Sequence, residues 1–327
     1  MAEQSLKEKY TVIKHYAPVV IPTLNRYEHF KRCIESLERC SGADKTDVYV
    51  GLDFPPSEKY VEGWKMIDDY LTNKEAKHGF SSLIVYRRKY NCGVGKKGSN
   101  AALLIDELST KYDSYIFSED DNEFSPSFLE YMNNAFLKYK DNPRIIRISG
   151  YKSPVLRAPL RENVFCNIDS PAYGFGHWIA KDRDLNVSYN IIEKELKSSL
   201  ARLLKNYWIY PAIIYKAIRM IEKKANYGDV TISVLNLING SFTLCPSVSL
   251  VRNWGCDGSG FHCGFIKNLH EELISNNLHF EIDEIKIELS DDIRKTLRYL
   301  NMPHGRINYY LHLIYYLLVT IRFYFKK

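Results

Sequence analysis

Short apolar runs alternate with amphipathic stretches through the first half of the chain. Pro18–Ile21, Val48–Leu52, Leu83–Tyr86, Ser114–Phe117 and Arg144–Ser149 read as strands. Between them, Arg26–Cys40 carries Phe30, Cys33, Ile34 and Leu37 on one helical face, and Tyr60–Leu71, Asn100–Leu108 and Ser127–Lys138 read as further helices, the last with Pro126 suited to its first turn. This order predicts an α/β fold built of βαβ units around a mainly parallel sheet. Ligands of open α/β sheets bind beyond the carboxyl ends of the strands, where Asp53, Asn91 and Asp121 fall.

The second half is less regular. A Gly/aromatic segment at Tyr173–Trp178 is followed by helical stretches to about Asn239 and a strand near Phe242–Val251, with no linker to mark a second domain. The division expected is a 1–16 extension, a ligand-binding part over 17–151, a second part of the same domain over 152–300, and a tail over 301–327. The tail is rich in Tyr, Leu and Ile and ends in Lys326-Lys327. A helix of ~20 residues is about 30 Å long, barely enough to span a bilayer. Its aromatics and lysines suit an interfacial helix better, and an ordinary packed helix is the competing expectation.

Composition narrows the classes. Lys and Arg number 45 against 39 acids, an excess of +6 that is scattered rather than blocked, which argues against nucleic acid and leaves phosphate-rich ligands and anionic surfaces open. The seven cysteines form no CxxC pair and read as reduced thiols; Cys256, His262 and Cys263 lack a fourth zinc ligand at the usual spacing. Met1–Tyr16 holds no apolar core of a secretory signal, so a cytoplasmic enzyme is expected, with a peripheral place on the inner membrane face if the tail binds there.

Chemistry concentrates at Glu119-Asp120-Asp121. In extended backbone Glu119 and Asp121 face one way and Asp120 the other, so one carboxylate can hold a hard cation while another contacts a bound ligand. The glycines at 93, 95 and 98 suggest a phosphate loop, but neither GxxxxGK[ST] nor a dinucleotide fingerprint is present. Lys96 and Lys97 there are candidates to meet phosphate. Asn25 and Arg26 are candidates to hold a nucleotide, helix capping by Asn25 being the alternative.

Taken in order, these segments resemble the GT-A glycosyltransferases. Pro18–Arg26 looks like their first strand and nucleotide loop, with Pro22, Thr23, Asn25 and Arg26 in it. Asn91–Asn100 looks like their Asn-x-Gly-x-x-x-x-Gly-x-Asn helix entry, and the acidic run is similar to the Glu-Asp-Asp form of the N-acetylglucosaminyltransferase I type and related bacterial family 2 enzymes. The resemblance implies a GT-A fold, a mixed, mostly parallel sheet flanked by helices. It implies donor contacts from Pro22, Thr23, Asn25, Arg26, Asp53, Asn91, Gly93, Lys97, Asn100, Glu119 and Asp120, and a Mn2+ or Mg2+ ion on Asp121 with His262 as a further contact. The reaction implied is inverting transfer of a hexose or N-acetylhexosamine from a nucleoside diphosphate sugar, UDP first, to a glycan or lipid-linked acceptor in polysaccharide synthesis.

An inverting transfer needs a base for the acceptor hydroxyl. Asp169, Asp182, Asp184, Asp229 and Asp257 are candidates. Asp229 leads because it precedes Cys245-Pro246 and Asn253-Trp254-Gly255 in the order of related sequences, with a helix-capping role as the alternative. Tyr173, Phe175 and Trp178 look like the aromatic acceptor loop. A nucleotidyltransferase would carry a glycine-rich basic loop after the first strand, which Pro22–Arg26 lacks; a non-catalytic sugar-binding protein of the same fold is the remaining alternative.

Overall fold

The computed structural model describes residues 16–94, 98–155, 162–182, 187–258, 274–303 and 305–326. The strands and helices of the first half alternate as β1 (Val19–Thr23), α1 (Tyr27–Glu38), β2 (Asp47–Leu52), α2 (Val61–Ala76), β3 (Ser82–Arg87), α3 (Asn100–Leu108), β4 (Ser114–Phe117), β5 (Asn122–Phe124), α4 (Phe128–Tyr139) and β6 (Ile145–Ser149). Then come β7 (Val164–Asn167), β8 (Phe175–Trp178), α5 (Ile179–Asp182), α6 (Tyr189–Lys197), α7 (Leu200–Ile209), α8 (Pro211–Glu222), α9 (Gly228–Asn239), β9 (Phe242–Pro246), β10 (Val251–Asn253), α10 (Asp291–Leu297) and α11 (Arg306–Phe325).

Among the described residues eight strands form one sheet in the order β3-β2-β1-β4-β8-β6-β9-β7, while β5 and β10 make a separate antiparallel ribbon. β1 pairs in parallel with both β2 and β4; β8 runs antiparallel to β4 and β6, and β7 antiparallel to β9. This is the mixed, mostly parallel sheet flanked by helices that the GT-A resemblance implies. Val19, Val20 and Ile21 are all fully buried, as a central parallel strand covered on both faces requires. The face predicted for α1 is the one it buries: Phe30, Cys33, Ile34 and Leu37.

Pro22 and Thr23, expected in a loop, extend β1. Backbone carbonyls of Pro18 and Val20 accept from Ile116 and Ser118 at 2.8 and 3.0 Å. Pro22, next on that side, lies past the end of β4, where no ladder bond needs its missing N–H.

Two expectations are corrected. The strand near Phe242–Val251 is two strands: the chain leaves the sheet at Pro246, which has no N–H to continue a ladder, and Val251–Asn253 pairs with β5 instead. Tyr173–Trp178 is not an open loop, because Phe175–Trp178 is inserted as β8 between β4 and β6. Gly176 permits this close approach, since a Cβ there would lie 2.4 Å from the Phe136 ring. Cys33, Cys40, Cys166 and Cys245 are buried free thiols, and Cys92 is buried as well. Among the described residues no helix is long and apolar enough to cross a membrane.

Candidate active site

The carboxyl ends of β1 and β4 bring Thr23, Arg26 and the acidic run together. Thr23 Oγ1 donates to Asp120 Oδ2 at 2.8 Å, and the Arg26 guanidinium bridges Asp120 Oδ1 and Asp121 Oδ2, the latter at 2.7 Å. Asp120 and Asp121 are buried. Asn253 Nδ2 donates to Asp121 Oδ1 at 2.6 Å and to Asn122 Oδ1 at 3.0 Å, while the Trp254 amide donates to the Asp121 carbonyl at 2.8 Å. The β5–β10 register, which sets Asn253 opposite Asn122, produces this contact. Gly255 closes the arrangement: its amide donates to Asn253 Oδ1 at 2.9 Å, and a Cβ on it would lie 2.2 Å from Asp121 Oδ2.

Asn253 and Gly255 were not expected as site residues. Their signal in the sequence is the Asn-Trp-Gly triplet, but nothing local ties it to Asp121.

Among the described residues three carboxyls and one guanidinium share this strand end. Burial, then the charges of Asp121 and Asp120, push the Glu119 carboxyl up to about 8, with Arg26 opposing. Burial also raises Asp120, again against Arg26. Burial works against the charge on Arg26, yet Asp120 and Asp121 outweigh it and its pKa rises.

The guanidinium thus marks where these carboxylates favour positive charge, and hard oxygen donors suit Mn2+ or Mg2+. Among the described residues no group of three or more His, Cys, Asp or Glu could hold a metal ion by itself. His262 lies outside the described residues.

Asp53, after β2, is buried and occupied. Its Oδ1 accepts from the amides of Phe54 and Cys92 at 3.0 and 2.8 Å, and its Oδ2 from the Gly93 amide at 3.0 Å and Asn91 Nδ2 at 3.3 Å. Asn91 Nδ2 also donates to the Phe54 carbonyl at 2.7 Å. The carboxylate therefore organises the loop after β3. The Asn100 side chain donates to the Gly51 carbonyl at 2.6 Å and accepts from Arg88 Nε at 2.9 Å. Asn25 presents its backbone carbonyl to Gly63, where a Cβ would lie 2.0 Å away. Lys97 lies outside the described residues.

Asp229 is exposed in the first turn of α9; the capping position is Tyr227. Its charge is among the smaller influences that raise Glu119 and Asp169. Asp169 accepts from Tyr210 Oη at 2.8 Å, and Asp257 pairs with His29 Nε2 at 2.9 Å. Asp184 and the side chain of Asp182 lie outside what is described.

Of the expected acceptor aromatics, Phe175 sits opposite Phe117 at the carboxyl end of β4, rings 5.0 Å apart, and Tyr173 packs on Tyr151 at 4.9 Å. Trp178 pairs with Ser114 at the opposite end of β4 and is buried against Phe136. Antiparallel insertion of β8 sends the segment away from the site.

No family model matches the chain, and no curated protein matches it. Among solved structures it is similar to the mannosyltransferase PcManGT from Pyrobaculum calidifontis in complex with GDP-Man and Mn2+, at 14% identity and TM-score 0.37, over 57% of this chain and 52% of that one. It is also similar to S. aureus TarS, at 12% identity and TM-score 0.31, over 53% of this chain and 30% of that one. With TarS 1-349 the figures are 13%, 0.37, 68% and 71%. The chain spans about half the length of the first of these structures.

Proposed function

We propose that the chain is a metal-dependent, inverting glycosyltransferase that moves a hexose or N-acetylhexosamine from a nucleoside diphosphate sugar, UDP first, to a glycan or lipid-linked acceptor in polysaccharide synthesis. The observation that carries this is the buried pair Asp120 and Asp121, gathered around one positive group at the ends of β1 and β4 and braced by Asn253. Residues 17–151 hold the donor and 152–300 form the acceptor side.

Asp121 would hold the cation, which when bound would supply charge to neutralise the leaving diphosphate. Arg26 turns from its carboxylates towards phosphate, Thr23 keeps Asp120 oriented, and Glu119 and Asp120 contact the sugar or ribose. Asp53 and Asn91 shape the base pocket. Asp229 takes the proton of the acceptor hydroxyl as its oxygen attacks the anomeric carbon and the bond to diphosphate breaks.

The test is thermal stability with UDP, GDP, CDP and dTDP, each with and without manganese. A ligand at a hundred times its Kd stabilises by about 2.7 kcal/mol. Unfolding entropy of about 2.1 cal/mol/K per residue over 327 residues amounts to about 0.7 kcal/mol/K, so the expected shift is about 4 °C. It should require metal and vanish in Asp121→Asn. No shift with any nucleotide at millimolar concentration would sink the donor-site reading.

A further inference from the structure

We propose that the outward face of α11 docks on an anionic lipid surface, with the helix lying in the plane of the interface. The inference is independent of the chemistry proposed for the acidic run.

The helix has two faces with different fates. Tyr316, Thr320 and Phe323 are buried; Tyr316 stacks on Tyr215 of α8 at 4.0 Å, Tyr207 Oη of α7 donates to the Leu313 carbonyl, and Lys197 Nζ of α6 donates to the Lys326 carbonyl at 2.9 Å. The helix is thus fixed to the domain. Its other face carries Ile307, Leu311, Ile314, Leu318 and Phe325, which are 78%, 59%, 57%, 61% and 68% exposed. Their spacing of three, four and seven puts them on one stripe. Large apolar side chains in such a row on a soluble surface mark an interaction site.

Charge selects the occupant. From residue 303 onward the sequence has Arg306, Arg322, Lys326 and Lys327 and no Asp or Glu. A second copy packed antiparallel on this stripe would set Arg306 of one chain near Arg322 and Lys326 of the other, with no acid on the helix to offset them. Lipid phosphate complements the same charges. Tyr310 and Tyr315, also exposed, suit the headgroup level. No helix among the described residues is long and apolar enough to span, which leaves the in-plane placement.

The experiment is co-sedimentation of the full chain with phosphatidylcholine vesicles, with and without phosphatidylglycerol. Binding is expected to the anionic vesicles and to weaken with salt. Leu311→Glu with Leu318→Glu should lower the partition coefficient about tenfold or more, with melting temperature and any nucleotide shift kept because both side chains are exposed. Each of Arg306→Gln, Arg322→Gln and Lys326→Gln should lower it about fivefold. The proposal is overturned if anionic vesicles do not bind the chain, or if binding survives the double substitution. A dimer seen by light scattering that Leu318→Glu dissociates would overturn it in favour of a second copy.

Discussion

Replacing Arg26 by methionine tests whether the acidic site is held together by one charge. The side chain of Arg26 is 22% exposed, and those of Asp120 and Asp121 are 8% and 6% exposed, so the pair lies between a surface bridge and a fully buried one. Surface pairs contribute about 0–1 kcal/mol; breaking a buried pair from one side costs about 3–5 kcal/mol, because the remaining charge is left without compensation. Here two carboxylates lose one shared cation, and a loss of about 3 kcal/mol is expected. Spread over the unfolding entropy of 327 residues, that is a fall in Tm of about 4 °C.

The assay is thermal unfolding in chelator-treated buffer, followed by titration with Mn2+. The variant should regain more stability from the metal than wild type does, since the cation no longer competes with a tethered guanidinium. A fall of less than about 1 °C, or equal stabilisation of both proteins by Mn2+, would refute the reasoning.

Gly255→Ala places a methyl where 2.2 Å separates it from Asp121 Oδ2, so the carboxylate must move; a stability loss of about 1–3 kcal/mol and disappearance of the metal-dependent nucleotide shift are expected in a melting assay. Trp178→Ala should cost about 3–5 kcal/mol as a core truncation while leaving the nucleotide shift intact, because the side chain is 7% exposed and far from Glu119 along β4. A rise in acceptor KM without loss of stability would return Trp178 to the acceptor site.

Burial pushes the Cys40 and Cys166 thiols up to about 12, from an ordinary 9.0. Both should resist iodoacetamide in the folded protein at pH 8, by mass spectrometry. Below pH 9 these thiols are protonated in both states and contribute nothing to pH dependence; above it the unfolded chain ionises first, so stability falls as pH rises towards 12.

The sequence by itself determined the elements whose signal is local. Asn100–Leu108 and Ser114–Phe117 are found with the bounds read from the pattern, and the apolar face of α1 is the one buried, because 3.6-residue and two-residue periodicities are written into consecutive positions. The position of the acidic run follows from the strand that ends before it. Tertiary structure alone decided which groups that run meets. Asn253 reaches Asp121 across 132 residues, Arg26 reaches Asp120 across 94, and the Cys92 and Gly93 amides reach Asp53 across 39 and 40. Trp178 shows the converse: an aromatic segment that reads as an acceptor loop becomes a buried strand once β4 and β6 leave a place for it. Contacts between distant segments depend on which strands pair and on loops closing at a cost that grows slowly with length, and neither quantity is present in the spacing of neighbouring residues.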